Sequence, residues 1–289
     1  MDLPRPAPPP KVRVHTLPVR GGLSENVSAL MAVEMDETGP VPLAIAPHES
    51  LMLSVQLPRT SNDIEAKGEH GQNTALTGIR QWTGSFQGAG NCVSLFALLT
   101  PLGSVRLLES QPLEGLPRIR ARVAELLDRP LTRRLESDVA LADGLEAKLF
   151  AFAAWLETRA GASRLLASAA LRAGRAAMRV CAEPSAPIEV LAAEQHVSRR
   201  QLERDFTRWI GTSPAHLAQV ARVQAISRKA QSGASLADIA ADVGFSDQSH
   251  MSRVVRRLTG QTPLRFARGA RSPIGAAFRR ATGGGTVYF

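Results

Sequence analysis

The strongest constraint on the fold of this chain is that it repeats itself. Leu191-Ala192-Ala193-Glu194-Gln195-His196-Val197-Ser198 aligns with Ile239-Ala240-Ala241-Asp242-Val243-Gly244-Phe245-Ser246 at an offset of 48 residues. After one inserted residue the correspondence runs on through Arg204 and Arg253, Phe206 and Val255, Gly211 and Gly260, and Pro214 and Pro263. A duplicated unit has to satisfy one set of local rules twice, which narrows the structures open to it. Each copy reads as a short helix, a tight turn and a longer helix, which is a helix-turn-helix unit.

The punctuation of both copies fits that reading. Ala192 and Ala240 are small where two helices must cross. Gly244 supplies the positive φ of the turn, and His196 stands in its place in the first copy. Ser198 and Ser246 precede the longer helices as acceptors for unpaired N–H groups, and Ser198 with Gln201 makes a capping box. Leu202, Phe206, Met251 and Val255 face a small core. Gly211 and Gly260 end the helices, and Ser213-Pro214 and Thr262-Pro263 open the next ones. Pro214 to Ala230 has no breaker and reads as one rigid connecting helix.

Charge gives this repeat a direction. Residues 184–289 carry 15 Lys/Arg and 7 Asp/Glu, so eight of the nine net positive charges lie in the last third. A basic part joined to a near-neutral one suggests a polyanion partner, the alternative being a solvated basic face. A recognition helix sets its N-terminal half against base edges in the major groove. In the first copy that half holds Arg199, Arg200, Gln201, Glu203 and Arg204, with Arg200 and Arg204 on one face. Arginine matches guanine, and Glu203 suits the cytosine amino group. In the second copy the candidates are Gln248, Ser249, Ser252 and Arg253, with Gln248 matched to adenine. Asp247 reads as a helix-start residue. His250 is read as a phosphate donor or as a filler against the turn. Arg208, Arg222, Arg228, Lys229, Arg256 and Arg257 are read as phosphate contacts or solubilising charge.

Gly244-Phe245-Ser246-Asp247-Gln248-Ser249-His250-Met251-Ser252-Arg253, followed by Gly260-Gln261-Thr262-Pro263, resembles the signature of the AraC/XylS family of bacterial transcription regulators. Ser198 to Phe206 and Gly211 to Pro214 resemble its first helix-turn-helix, and the likeness spans about 85 residues. Met251 departs from it, standing where the family usually has an aromatic. The resemblance implies a sequence-specific DNA-binding regulator and singles out Arg200, Glu203, Arg204, Gln248, Ser249, Ser252 and Arg253 as contacts. It implies a β-rich front domain that binds a small effector or a second copy of the chain, and RNA polymerase as a partner if the protein activates. Two such helices on a stiff spacer address successive major-groove turns of double-stranded DNA, about 34 Å apart, with bending at some cost.

The front of the chain reads differently. Residues 1–10 (MDLPRPAPPP) are expected to be an extended, disordered lead. From Val12 to Leu108, short apolar runs such as Leu51–Leu57 and Cys92–Leu99 are punctuated by Gly, Pro, Asn and Ser, as in a β-sandwich or barrel. Leu116, Ile119, Val123, Leu126 and Leu127 recur at helical spacing, placing Arg118, Arg120 and Arg122 on a solvent-facing helix. Leu145 to Ala182 continues as a helical tail, and the prolines at 184 and 187 end it. The expected fold is therefore α+β. A β-rich sensor or dimerisation domain with a helical tail covers 11–182, an all-α double helix-turn-helix domain covers 184–271, and a flexible tail covers 272–289.

Other functions are set aside on composition. No apolar run reaches about 18 residues and no signal pattern opens the chain, so a cytoplasmic protein without a membrane span is expected. Cys92 and Cys181 cannot make a disulfide scaffold or a four-thiolate zinc site, and Cys92 reads as a buried thiol. His48-Glu49 and His70 hint at a metal-dependent barrel, but no spaced ligand set completes one, so neither metal nor cofactor is expected. Trp82, Phe86 and Phe96 are pocket-lining or core residues. A non-enzymatic regulator is expected. The alternatives are an enzyme fused to a DNA-binding module, through DNA-repair alkyl transfer or metal-dependent barrel chemistry, and a helical domain that binds protein.

Overall fold

The computed structural model describes residues 11–36, 41–58, 74–88, 91–109, 111–114, 120–122, 127, 129–162, 166–230, 233–268 and 273–285. The proline-rich lead, His70, Arg118 and the side chain of Phe86 lie outside the described residues. A six-stranded sheet of β1 (Lys11–Leu17), β2 (Val27–Asp36), β7 (Cys92–Leu99), β4 (Leu51–Pro58), β5 (Thr74–Thr77) and β8 (Arg120–Arg122) forms in that order. A hairpin-like pair, β3 (Val41–Ile45) and β6 (Gly84–Gly88), stands beside it, and every pairing is antiparallel.

The centre of the sheet is buried on both faces. Val93, Leu95, Ala97 and Leu99 of β7 enter one core, while Cys92, Phe96 and Leu98 enter the other. On β2, Leu30 and Ala32 share the first core, and Ala29, Met31, Val33 and Met35 share the second. The period of two fixes register, since a one-residue slip would exchange the two sets.

Helices α1 (Pro101–Leu107), α2 (Arg129–Leu141), α3 (Gly144–Gly161) and α4 (Ser168–Ala182) follow. Leu149, Phe152 and Leu156 of α3 close the first core. The stripe Ala170, Ala173, Ala176 and Ala177 lets α4 approach closely, and a Cβ added at Gly174 would lie 3.2 Å from the Leu102 Cα. The C-terminal helices are α5 (Ile188–Glu194), α6 (Arg199–Trp209), α7 (Pro214–Lys229), α8 (Leu236–Asp242), α9 (Gln248–Thr259), α10 (Pro263–Arg268) and α11 (Pro273–Ala281). Helix α4 packs on α1, α6 and α7 at once, so one apolar cluster runs through both halves. The backbone does break at 183–187 as expected, but the core does not.

Two expectations differ from the structure. Residues 120–122 are a strand paired with Thr77–Ala75 rather than part of a helix. The open backbone edge of β5 takes partners there, a tertiary demand that helical spacing does not register. Residues 273–281, expected within a loose tail, form α11 on the second face of the sheet. Ile274, Ala277, Phe278 and Ala281 fall at i, i+3, i+4 and i+7, and Phe278 meets Phe96 edge-on at 5.1 Å. The glycine run at 283–285 masked that pattern. Among the described residues no helix is long and apolar enough to cross a membrane.

Candidate nucleic-acid interface

Helices α5–α6 and α8–α9 close identical turns. The Val197 N–H donates to the Ala192 carbonyl at 3.0 Å, and the Phe245 N–H to the Ala240 carbonyl at 2.9 Å. Gly244 has φ +81°, and His196 takes φ +55° in the equivalent place, a conformation that few side chains adopt. Gly260 caps α9 at φ +69° and Gly211 follows α6 at φ +77°. Leu202, Phe206, Met251 and Val255 are buried, as is Ala192 against its turn.

The caps show where local rules were overridden. The Gln201 N–H donates to the Ser198 Oγ at 3.2 Å, but the Gln201 side chain does not turn back to complete the box. It is held instead by Asp205, at 2.8 Å. Ser246 is not the cap of α9; Asp247 is, accepting the His250 N–H at 2.7 Å. That bond first, and the Ser246 hydroxyl second, hold the Asp247 carboxyl below its ordinary range. His250 lies edge-on to Phe245 at 5.4 Å, with its Nδ1 3.1 Å from the Ser246 Oγ.

Of the base-reading candidates, Arg199, Arg200, Arg204, Gln248, Ser249 and Arg253 are exposed, as is Arg256. Gln201, Glu203, His250 and Ser252 are half-buried. On α6 several are already engaged. Arg199 pairs with Glu203 at 2.9 Å and Glu189 at 2.8 Å, so Glu203 presents a partly neutralised carboxylate. Arg204 donates to the Gln201 Oε1 at 2.6 Å. On α9 the side chains of Gln248, Ser249 and Ser252 make no hydrogen bond to the described residues.

The proposed phosphate contacts divide. Arg256 is exposed, Arg208 stacks on Trp209 at 4.8 Å, and Arg257 donates to Gln219 at 2.7 Å. Lys229 pairs with Asp242 at 2.8 Å. Arg222 and Arg228 are structural instead. Arg222 donates to the Pro184 carbonyl at 2.9 Å, and burial lowers its pKa; Arg228 pairs with Glu49 at 2.7 Å.

That last pair belongs to a seam which the sequence did not signal. Gln224 of α7 donates to the Pro47 carbonyl at 2.6 Å, and His216 Nε2 lies 2.9 Å from the Arg80 carbonyl. The Thr83 N–H donates to the Leu258 carbonyl at 2.8 Å, and the Leu113 N–H to the Arg208 carbonyl at 2.7 Å. Both helix-turn-helix units are thus bonded by backbone to the front domain. His48 and Glu49 serve this seam. Among the described residues no group of three or more His, Cys, Asp or Glu is placed to hold a metal ion. Burial foremost, then Arg228, lowers the His48 pKa, although Glu49 opposes the shift. Burial resists ionisation of Glu49, but His48 and Arg228 outweigh it and lower its pKa. Cys92 is buried 3.5 Å from the Ser94 hydroxyl, and burial followed by Glu49 pushes the Cys181 thiol upward. Trp82 is 57% exposed, so it neither packs in the core nor closes a pocket.

Residues 191–269 match a protein family described as a helix-turn-helix domain. Those residues hold both units of the repeat, α5–α6 and α8–α9, and form a helix-turn-helix domain. With it the chain is a DNA-binding protein of the transcription-regulator kind. No curated protein matches the chain. Solved structures of ToxT from Vibrio cholerae are similar over most of its length. One is 11% identical and covers 90% of this chain and 98% of that one, with a TM-score of 0.42. ToxT bound to (E)-4-(8-methylnaphthalen-1-yl)but-3-enoic acid is 10% identical, with the same coverage and a TM-score of 0.41. Unsaturated fatty acid-bound ToxT is 11% identical, covering 89% of this chain and 94% of that one, with a TM-score of 0.40.

Proposed function

We propose that the protein regulates transcription by seating α6 and α9 in successive major grooves of one DNA face, with the front domain setting how the two helices are held. The observation that carries this is the exposure of Arg200 and Arg204, one turn apart on α6, and of Gln248 and Arg253 at the two ends of the first turns of α9, with the two helices joined through the continuous helix α7. Arg199, Gln201, Glu203, Ser249, His250 and Ser252 flank those side chains, and Arg256 lies one turn on as a phosphate contact. The bonded seam supports a front domain that tunes DNA binding through a small effector or a second copy, with RNA polymerase as partner where the protein activates. A DNA partner and the absence of any spanning helix among the described residues support a cytoplasmic site of action.

Alkyl transfer is the weaker reading, because it needs a ready thiolate. Cys92 is buried and the Cys181 thiol is held protonated. The test is binding to the DNA upstream of the protein's own gene at two salt concentrations. The expected result is a defined footprint whose affinity falls steeply with salt. One bidentate arginine contact is worth about 1–3 kcal/mol. Arg204→Glu and Arg253→Glu should each therefore weaken the footprint by at least about fivefold while the melting temperature holds. Unchanged footprints in both variants reject the assignment.

A further inference from the structure

The two recognition helices have the same backbone but different wiring. Asp205 of α6 is a buried carboxylate, and the equivalent position on α9 is the apolar Val254. A buried carboxylate is costly unless fully paired. Its partner comes from outside the repeat: Arg172 of α4 donates to Asp205 Oδ2 from Nε at 2.9 Å and from Nη2 at 2.6 Å. Asp205 Oδ1 accepts the Gln201 Nε2 at 2.8 Å. That fixes the Gln201 amide with its oxygen outward, and the oxygen accepts the Arg204 Nη2 at 2.6 Å. Four hydrogen bonds therefore run from α4 to an exposed arginine on the groove-facing row.

We propose that Arg172 is a specificity-determining positioning residue, which through Asp205 and Gln201 holds Arg204 in one rotamer and so sets the base that α6 reads. This rests on the DNA-reading assignment above. An unrestrained arginine samples many rotamers, and each pre-ordered one loses less entropy on binding. Arg172 also neutralises Asp205, which would otherwise draw Arg204 inward. Because α4 lies between α1 and α6, a change in the front domain that moves α4 is felt at Arg204. Among the described residues helix α9 has no such side-chain relay to α4, so its reading is independent of that helix.

The experiment is selection of preferred duplexes from a random pool with the full chain, using Arg204→Ala and Arg253→Ala to assign each half-site to its helix. Arg172→Gln removes the fork. Arg172→Leu combined with Asp205→Val copies the apolar arrangement of the second unit and keeps the contact packed if the single variant does not fold. Both should flatten base preference at the α6 half-site by about tenfold, with the α9 half-site and the salt slope unchanged, and Arg172→Lys should restore part of it. An α6 preference that survives in the folded double variant overturns the proposal, and so does equal loss at both half-sites, the mark of a merely structural tie. A wild-type chain that selects no sequence overturns the DNA-reading assignment itself, and this inference with it.

Discussion

Gly211 and Gly260 hold equivalent places after α6 and α9, with φ of +77° and +69°, which makes each the control for the other. An alanine in the left-handed region costs about 1–2 kcal/mol. At Gly260 a Cβ would meet nothing within 4 Å, so Gly260→Ala should cost that strain and no more. At Gly211 the same atom would lie 2.6 Å from the Leu113 carbonyl oxygen and 3.3 Å from the Leu113 Cβ. Either that backbone retreats or the seam opens. Retreat strains the bond from the Leu113 N–H to the Arg208 carbonyl, and a buried group left unpaired costs about 1–3 kcal/mol. Gly211→Ala should thus cost about 2–5 kcal/mol. With roughly 2 °C lost per kcal/mol in a chain of this size, the melting temperature should fall at least twice as far as for Gly260→Ala. Thermal unfolding measures this, and hydrogen exchange at the Leu113 amide should accelerate in the Gly211 variant alone. Equal melting shifts with an unchanged Leu113 amide would refute a docked seam.

Phe278 is fully buried, and a core Phe→Ala change costs about 3–5 kcal/mol. That is more than a short terminal helix can spare, so Phe278→Ala should release α11 without unfolding the sheet; trypsin cutting at Arg279 and Arg280 no faster than in the wild type would disprove it. Acidification should loosen the seam. Burial foremost lowers the pKa of His48, and burial followed by Arg257 lowers that of His216. The unfolded chain then takes up protons first as the pH drops below about 6.5, so stability is full above that value and lost below it. Glu49, with its pKa also lowered, adds a further loss as the pH falls through the ordinary carboxylate range. The melting temperature should be lower at pH 5.5 than at 7.5, and His48→Gln with His216→Gln should flatten the difference. Finally, Cys92 and Cys181 should resist alkylation by iodoacetamide at pH 8 until the chain is unfolded in urea; rapid labelling of the native protein would reopen the alkyl-transfer reading.

What was legible in the sequence is what neighbours in the chain decide. Gly244, the serine caps before α6 and α7, and the glycines after α6 and α9 each act within a few residues, and all behave as their types require. The positive φ of His196 was readable only because the duplication set it opposite Gly244. Gln201 shows the limit. By local rules it belongs to the Ser198 cap, yet Asp205, itself fixed by Arg172 from another helix, takes the side chain. The strand at 120–122 fails in the same way, its helical spacing losing to an unpaired sheet edge. No residue pattern could announce the Leu113–Arg208 or Thr83–Leu258 bonds, since backbone groups carry no side-chain signature.

The seam changes what a front domain can do to DNA reading. If α7 alone joined the two units, their separation would be a property of one helix and nothing in residues 11–182 could alter it. Instead each unit has its own anchors: Leu113 and Arg172 hold α6, and Thr83 holds the end of α9. Arg228 and Gln224 meanwhile tie the spacer helix to Glu49 and Pro47. The anchors sit on different parts of the front domain, the loop after α1, helix α4 and the loop before β6. A rearrangement that shifts these parts relative to one another is therefore passed to the two recognition helices unequally. On the proposed function, an effector would act by changing the pitch and strength with which α6 and α9 fit one duplex face, and the α6 half-site would respond first because it is wired side chain by side chain to α4.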